Sequence, residues 1–217
     1  MARYEPSQGV WNPAPEVYAV GQAAQVRYTG GEEYCGTHTT QASIPAGTRA
    51  LRNWMVQNWP AVVQTYMPGR GRDITGCVHL DVHHEGRAID FMRPRGAEGN
   101  EVMEAIASWL VSHADEVGVQ EVLYNKTAWF AGNGPGGNRW HSWEPGSWGG
   151  SDHSDHVHTS LTPAGAAGGT PWFSTPTGML EVVETSPWTA PLLVVTGLAL
   201  ATGIYVLIRS SGRRGRR

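Results

Sequence analysis

Apolar residues at Val102, Ile106, Trp109, Leu110 and Val117 recur at a spacing that puts them on one side of a helix. Asn100 is placed to cap its start and Gly118 to stop it, so the pattern predicts a helix between them. Leu51, Trp54, Met55, Asn58 and Trp59 repeat the spacing behind the turn Ile44-Pro45-Ala46-Gly47-Thr48, with Thr48 as N-cap and Pro60 near the end. A shorter helical segment is expected over 61–67, closed by Met67-Pro68-Gly69. Other apolar runs are too short for helices. Residues 74–80 read as a strand and turn, Val119–Tyr124 and His156–Leu161 as strands. From Arg87 a strand is expected with Ala88 and Asp90 on one face and Arg87 and Ile89 on the other. The class that follows is α+β: a small antiparallel sheet with flanking helices, in a domain over 33–162.

Outside that domain the pattern changes. Pro6, Pro13 and Pro15 make residues 1–32 a loosely structured segment, with at most a short edge strand over 17–29. Residues 163–188, rich in Gly, Ala, Thr and Pro, read as a linker. Ala190–Ile208 carries no charge over a length that spans a bilayer, which predicts a transmembrane helix over 189–208 flanked by Trp188 and Tyr205. The arginines of 209–217 place that tail on the cytoplasmic side and the domain outside, facing the cell wall. No basic start followed by an apolar run marks a signal peptide near Met1. A phage lysin held inside its host until lysis would need none.

Composition narrows the class further. A chain 40% hydrophobic and 16% charged can bury a core, and a net charge of -3 carries no nucleic-acid footprint. The 10 Trp against 3 Phe are unusual, and Trp140, Trp143 and Trp148 fall in the Gly-rich stretch 131–151. A loop of that length leading into a histidine cluster is expected to wall a substrate groove, with Trp140 and Trp143 against the substrate; the alternative is that such tryptophans anchor loops to the core. Cys35 and Cys77 are the two cysteines. Outside the cytoplasm they would form a disulfide stabilising the fold by roughly 3–4 kcal/mol; inside it they would stay as thiols.

The candidate chemistry sits in Asp81-Val82-His83-His84-Glu85-Gly86-Arg87-Ala88-Ile89-Asp90 and in Asp152-His153-Ser154-Asp155-His156-Val157-His158. Gly86 allows a tight turn between His83 and Asp90. His156 and His158 fall on one face of a strand. Two imidazoles and one carboxylate, with a fourth position open, suit a catalytic zinc better than a structural one. His83, Asp90 and His158 are the favoured ligands. Peptide hydrolysis also needs a base near the bound water, and Asp155 and His156 are the two candidates.

Asp81-x-His83-x-x-Gly86-x-Ala88-x-Asp90 resembles the Ser-x-His-x-x-Gly-x-Ala-x-Asp pattern of the lysostaphin/D-Ala-D-Ala peptidase/hedgehog group of zinc peptidases, with Asp81 in place of the Ser. Cys77, His84–Asp90 and Asp155–His158, with Cys35 and the stretch Ala46–Leu51, are similar to actinobacterial cell-wall proteins of that type. The resemblance covers about residues 33–162. It implies zinc held by His83, Asp90 and His158, a base at Asp155 or assistance from His156, and a residue near substrate or metal at Asp81. It also implies an arginine, Arg70 or Arg72, steadying the transition state. The expected function is that of a membrane-anchored zinc peptidase or amidase that cuts peptide bonds of peptidoglycan, its partner being the stem peptide. The alternative is a non-catalytic wall-binding module or phage-particle component of the same fold.

Overall fold

A computed structural model describes residues 10–31, 33–35, 43–62, 65–67, 77–79, 82–94, 98–137, 139–142, 144 and 152–175. The expected membrane span, its basic tail, Arg70, Arg72, Asp81 and Trp143 lie outside them. No helix among the described residues is long and apolar enough to cross a membrane.

The fold is α+β around a six-stranded antiparallel sheet. Strands β2 (Thr65–Tyr66), β4 (Ala88–Met92), β8 (His156–Leu161), β5 (Val119–Tyr124), β6 (Thr127–Phe130) and β7 (Trp140–Ser142) lie side by side in that order. A separate ladder joins β1 (Glu33–Cys35) to β3 (Cys77–His79). Helices α1 (Pro15–Ala23), α2 (Ala46–Asn58), α3 (Glu98–Ser112), α4 (Ala114–Val117) and α5 (Pro163–Ala167) complete it, with a 3-10 turn at Pro171–Ser174.

Register decides which side chains reach which face, because residues opposite each other in a ladder point the same way. Ile89 faces Thr159 and Thr159 faces Val122; Phe91 faces Val157. These side chains are fully buried in the main core, with Leu51 and Met55 of α2 and Met103, Ile106, Leu110 and Val111 of α3. Fully burying one such side chain is worth about 1.5–3 kcal/mol. The opposite face carries Asp90, His158 and Leu123 in one row, and Ala88, Ser160 and Glu121 in the next. The core therefore fixes the chemistry-bearing face: a one-residue slip would send the histidines into the helices and Ile89 and Val157 into water.

Several expectations are corrected. The helix expected from Asn100 begins at Glu98, so Asn100 lies inside α3, where its Oδ1 accepts a hydrogen bond from Arg93 at 3.1 Å. Its buried stripe runs through Met103, Ile106, Ala107, Leu110 and Val111, and Val102 and Trp109 form its half-buried margin. Gly118 ends α4 in the left-handed conformation at φ 83°, as a C-terminal glycine should. Thr48 does not cap α2; that helix starts two residues earlier, behind Pro45, and Thr48 is buried. The segment 61–67 contributes β2 rather than a helix.

Of the two segments expected to be loose, the described residues 10–31 and 163–175 are folded. Pro15 begins α1 at a position where its missing N–H costs nothing. The chain on either side is tied to the domain: Trp11 N–H donates to the Asn125 carbonyl at 3.0 Å, and the Gln25 and Val26 amides donate to Asp115 Oδ1 at 2.7 and 2.6 Å. At the other end, α5 packs on α2 and Trp172 is buried. A Cβ on Gly47 would come within 2.2 Å of the Gly165 carbonyl oxygen, so this helix contact requires glycine.

Candidate metal centre

The turn at 82–86 delivers His83. Gly86 N–H bonds to the His83 carbonyl at 3.0 Å and Arg87 N–H to the Val82 carbonyl at 2.9 Å. Gly86 takes φ 68°, and a Cβ there would meet Pro45 Cδ at 3.0 Å. Conformation and space both select glycine. Arg87 holds the turn from below. Its buried guanidinium bonds to Glu85 Oε2 and the Leu161 carbonyl, each at 2.5 Å, and to the Gly30 carbonyl.

With the turn so held, His83 Nε2, Asp90 Oδ1 and His158 Nδ1 converge. The three separations are 3.3 Å (His83–Asp90), 3.1 Å (His83–His158) and 2.9 Å (Asp90–His158). Tetrahedral coordination with bonds of about 2.0–2.1 Å places ligand atoms about 3.3 Å apart. The triangle has nearly that size. Among the described residues, these three form a His–Asp–His group able to hold a metal ion. Asp90 and His158 reach it by facing each other across the β4–β8 ladder. Burial opposes ionisation of Asp90, but hydrogen bonds with His158 and His83 and their charge outweigh it, so the carboxyl is held well below the ordinary carboxylate range.

His156, two residues before His158, stands on the same face. Its Nε2 is 3.8 Å from Asp90 Oδ1, and its Nδ1 is 2.7 Å from Asp155 Oδ1. Asp155 itself is 69% exposed on its side chain. His153, of the same motif, is buried at φ 52°, with its ring 4.8 Å from that of His156 and 5.7 Å from that of His158. The Asp152 carboxylate accepts from the Ser154 amide at 3.1 Å, and hydrogen bonding by Ser154, above all by its side chain, lowers the Asp152 pKa.

Trp140, expected on the substrate groove, is a core residue instead. It faces Trp129, on the helix side of the sheet, and stacks on Tyr18 at 5.4 Å. The reason is again register: His141, its neighbour, faces Ala128 on the site side. Trp143, Arg72 and Asp81 lie outside the described residues. Cys35 and Cys77 are directly opposed in the β1–β3 ladder.

Two residues of this face escape a reading of sequence alone. Tyr66, opposite Asp90 on β2, is half exposed with its ring 5.8 Å from His83. Glu121 has its Oε2 4.0 Å from His158 Nε2. The one signal for Glu121 is the polar pair Gln120-Glu121 inside an otherwise apolar strand.

The family model described as VldE, C-terminal domain, matches residues 40–157, more than half of the chain. The matched segment includes His83 and Asp90 and ends one residue before His158. No curated protein and no solved structure matches.

Proposed function

This chain belongs to the VldE C-terminal domain family, and from the centre its fold assembles we propose that it is a zinc-dependent peptidase or amidase acting on the peptides of peptidoglycan. The observation that carries the reading is the triangle of His83 Nε2, Asp90 Oδ1 and His158 Nδ1. Such a donor set suits zinc and leaves one position for water. Zinc held by these residues would lower the pKa of a bound water toward about 7 and polarise a scissile carbonyl.

The chain's own groups supply the remaining parts. Asp155 accepts the Nδ1–H of His156 at 2.7 Å, which leaves the Nε2 lone pair turned toward the ligands. Of the two candidate bases, His156 therefore takes the proton and Asp155 orients it. This is the base-and-orienter logic of hydrolytic sites in general. His153, beside His156, offers a second imidazole on the same side for the developing oxyanion. The resemblance of the His83–Asp90 and Asp155–His158 motifs to wall-cleaving zinc peptidases supports the substrate class. A membrane span over 189–208 would hold the domain against the wall.

The test is lysis of purified cell walls by the full chain. A chelator should abolish lysis and zinc should restore it, and His156→Ala should slow it by about 10²–10⁴-fold. Lysis that persists after chelation refutes the mechanism. Zinc binding with no turnover in the wild type would point to a wall-binding module instead.

A further inference from the structure

Behind His158 runs a buried polar chain that the metal triangle does not use. Glu121 Oε2, 4.0 Å from His158 Nε2, accepts a hydrogen bond from Ser160 Oγ at 2.9 Å. Ser160 Oγ accepts from Gln120 Nε2 at 3.2 Å. Gln120 Oε1 accepts from Thr29 N–H at 3.0 Å and from Thr29 Oγ1 at 2.7 Å. Gln120 and Ser160 are fully buried and Glu121 nearly so.

The direction of this chain is forced. A backbone N–H can only donate, so the Gln120 atom facing Thr29 is its oxygen, and the amide nitrogen must face Ser160. Ser160 receives that bond and gives its single proton to Glu121. Glu121 thus ends the chain as an acceptor, and the group it favours on the imidazole beyond it is an N–H. At 4.0 Å that contact is electrostatic rather than a hydrogen bond, but in a buried setting a carboxylate still selects the donor form. Without an ion the Asp90 carboxylate, 2.9 Å from Nδ1, draws the proton to that nitrogen. An ion in the triangle would displace it, and with the N–H then kept at Nε2 beside Glu121, Nδ1 would offer its lone pair on the side facing Asp90 and His83.

A defect in the strand makes the chain possible. In a regular strand Gln120 and Glu121 would leave opposite faces of the sheet. The β5–β8 register shifts between Val119 and Glu121, and both side chains reach the one Ser160 hydroxyl. Bulges commonly re-aim side chains in this way.

We propose that Glu121 is a positioning residue that keeps the proton of His158 on Nε2 and so assigns Nδ1 to the metal. This inference rests on the zinc reading above. It gives the His158–Glu121 pair the role carboxylates play behind metal-bound histidines, where removing one costs about 10–100-fold in metal affinity. In Glu121→Gln the Ser160 proton takes the amide oxygen, so the NH₂ group is left facing an N–H.

The test uses the full chain and Zn²⁺ titrated against a chromophoric chelator, with ring nitrogen-15 shifts of His158 recorded in the zinc-loaded protein. Expected are a roughly 10–100-fold weaker zinc affinity in Glu121→Gln and, in the wild type, a proton on Nε2 with the metal on Nδ1. Equal affinity in the variant overturns the positioning role and leaves the hydrolase reading standing. A wild type that binds no zinc overturns both. Metal on Nε2 overturns the inference whether or not the variant folds.

Discussion

Arg87→Met is the sharpest single perturbation of this fold. Methionine matches much of the aliphatic stem but has no guanidinium. It deletes the bonds to Glu85, to the Leu161 carbonyl at the end of β8 and to the Gly30 carbonyl of the N-terminal segment. The site is buried, so water does not replace them. Breaking a buried ion pair by removing one partner costs about 3–5 kcal/mol, because a desolvated charge is left behind. Native domains hold only about 5–15 kcal/mol in all, so the variant should lose a large share of its margin. Urea unfolding is the assay, read as a lower midpoint with little change in slope. Arg87→Lys should fall between the two, because an ammonium keeps the charge but cannot bond in three directions at once. The loss should also reach the metal. Arg87 joins the His83 turn to the strand carrying His158, so the folded fraction of Arg87→Met should bind zinc more weakly than the wild type. A midpoint equivalent to wild type within about 0.5 kcal/mol, the usual range for a surface substitution, would refute the clamp.

Two further outcomes are expected. Burial pushes the Tyr124 phenol up to about 12, and its buried hydroxyl has no hydrogen-bond partner among the described residues. Tyr124→Phe should therefore be neutral or stabilising by about 1 kcal/mol at neutral pH. The wild type alone should carry this group's loss of stability as pH rises from about 10, where the unfolded phenol ionises, toward about 12. Unfolding midpoints of both proteins across that range, with tyrosinate absorbance, check the sign; equal curves would contradict it. Opposed residues in an antiparallel ladder have Cα atoms about 4.5–5.5 Å apart, within disulfide reach, so Cys35 and Cys77 should be unreactive to a thiol reagent until reduced. Two thiols reacting at once in folded, unreduced protein would exclude the bridge.

What the sequence reveals divides along physical lines. β5 and β8 are legible because they are short, apolar and bounded, and β4 because Ala88 and Asp90 alternate with Ile89 and Phe91. Gly118 is legible because a helix end needs the left-handed conformation it adopts. Trp140 misleads because glycines around it suggest a loop; its environment is set by α1, whose existence Pro13 and Pro15 conceal. The stretch 163–175 has linker composition for a packing reason. Its small residues let α5 approach Gly47 within contact of backbone on both sides. Glu121 stays hidden because its partner is found by register and by a bulge, neither of which periodicity predicts.

The same register argument decides what metal removal should do. Alternation along β4 and β8 sends Ile89, Phe91 and Val157 into the helix-packed core and Asp90, His156 and His158 to the other face. The core is complete without the ligands, so the fold does not need the ion, in contrast to small zinc domains that unfold without it. Chelation should leave far-ultraviolet circular dichroism unchanged at room temperature. It should lower the thermal midpoint by no more than binding linkage requires, about 2.7 kcal/mol if zinc stood at a hundred times its dissociation constant. Cooperative unfolding on adding chelator would make the ion structural, and the triangle of His83, Asp90 and His158 would then be a staple rather than a place where water is activated.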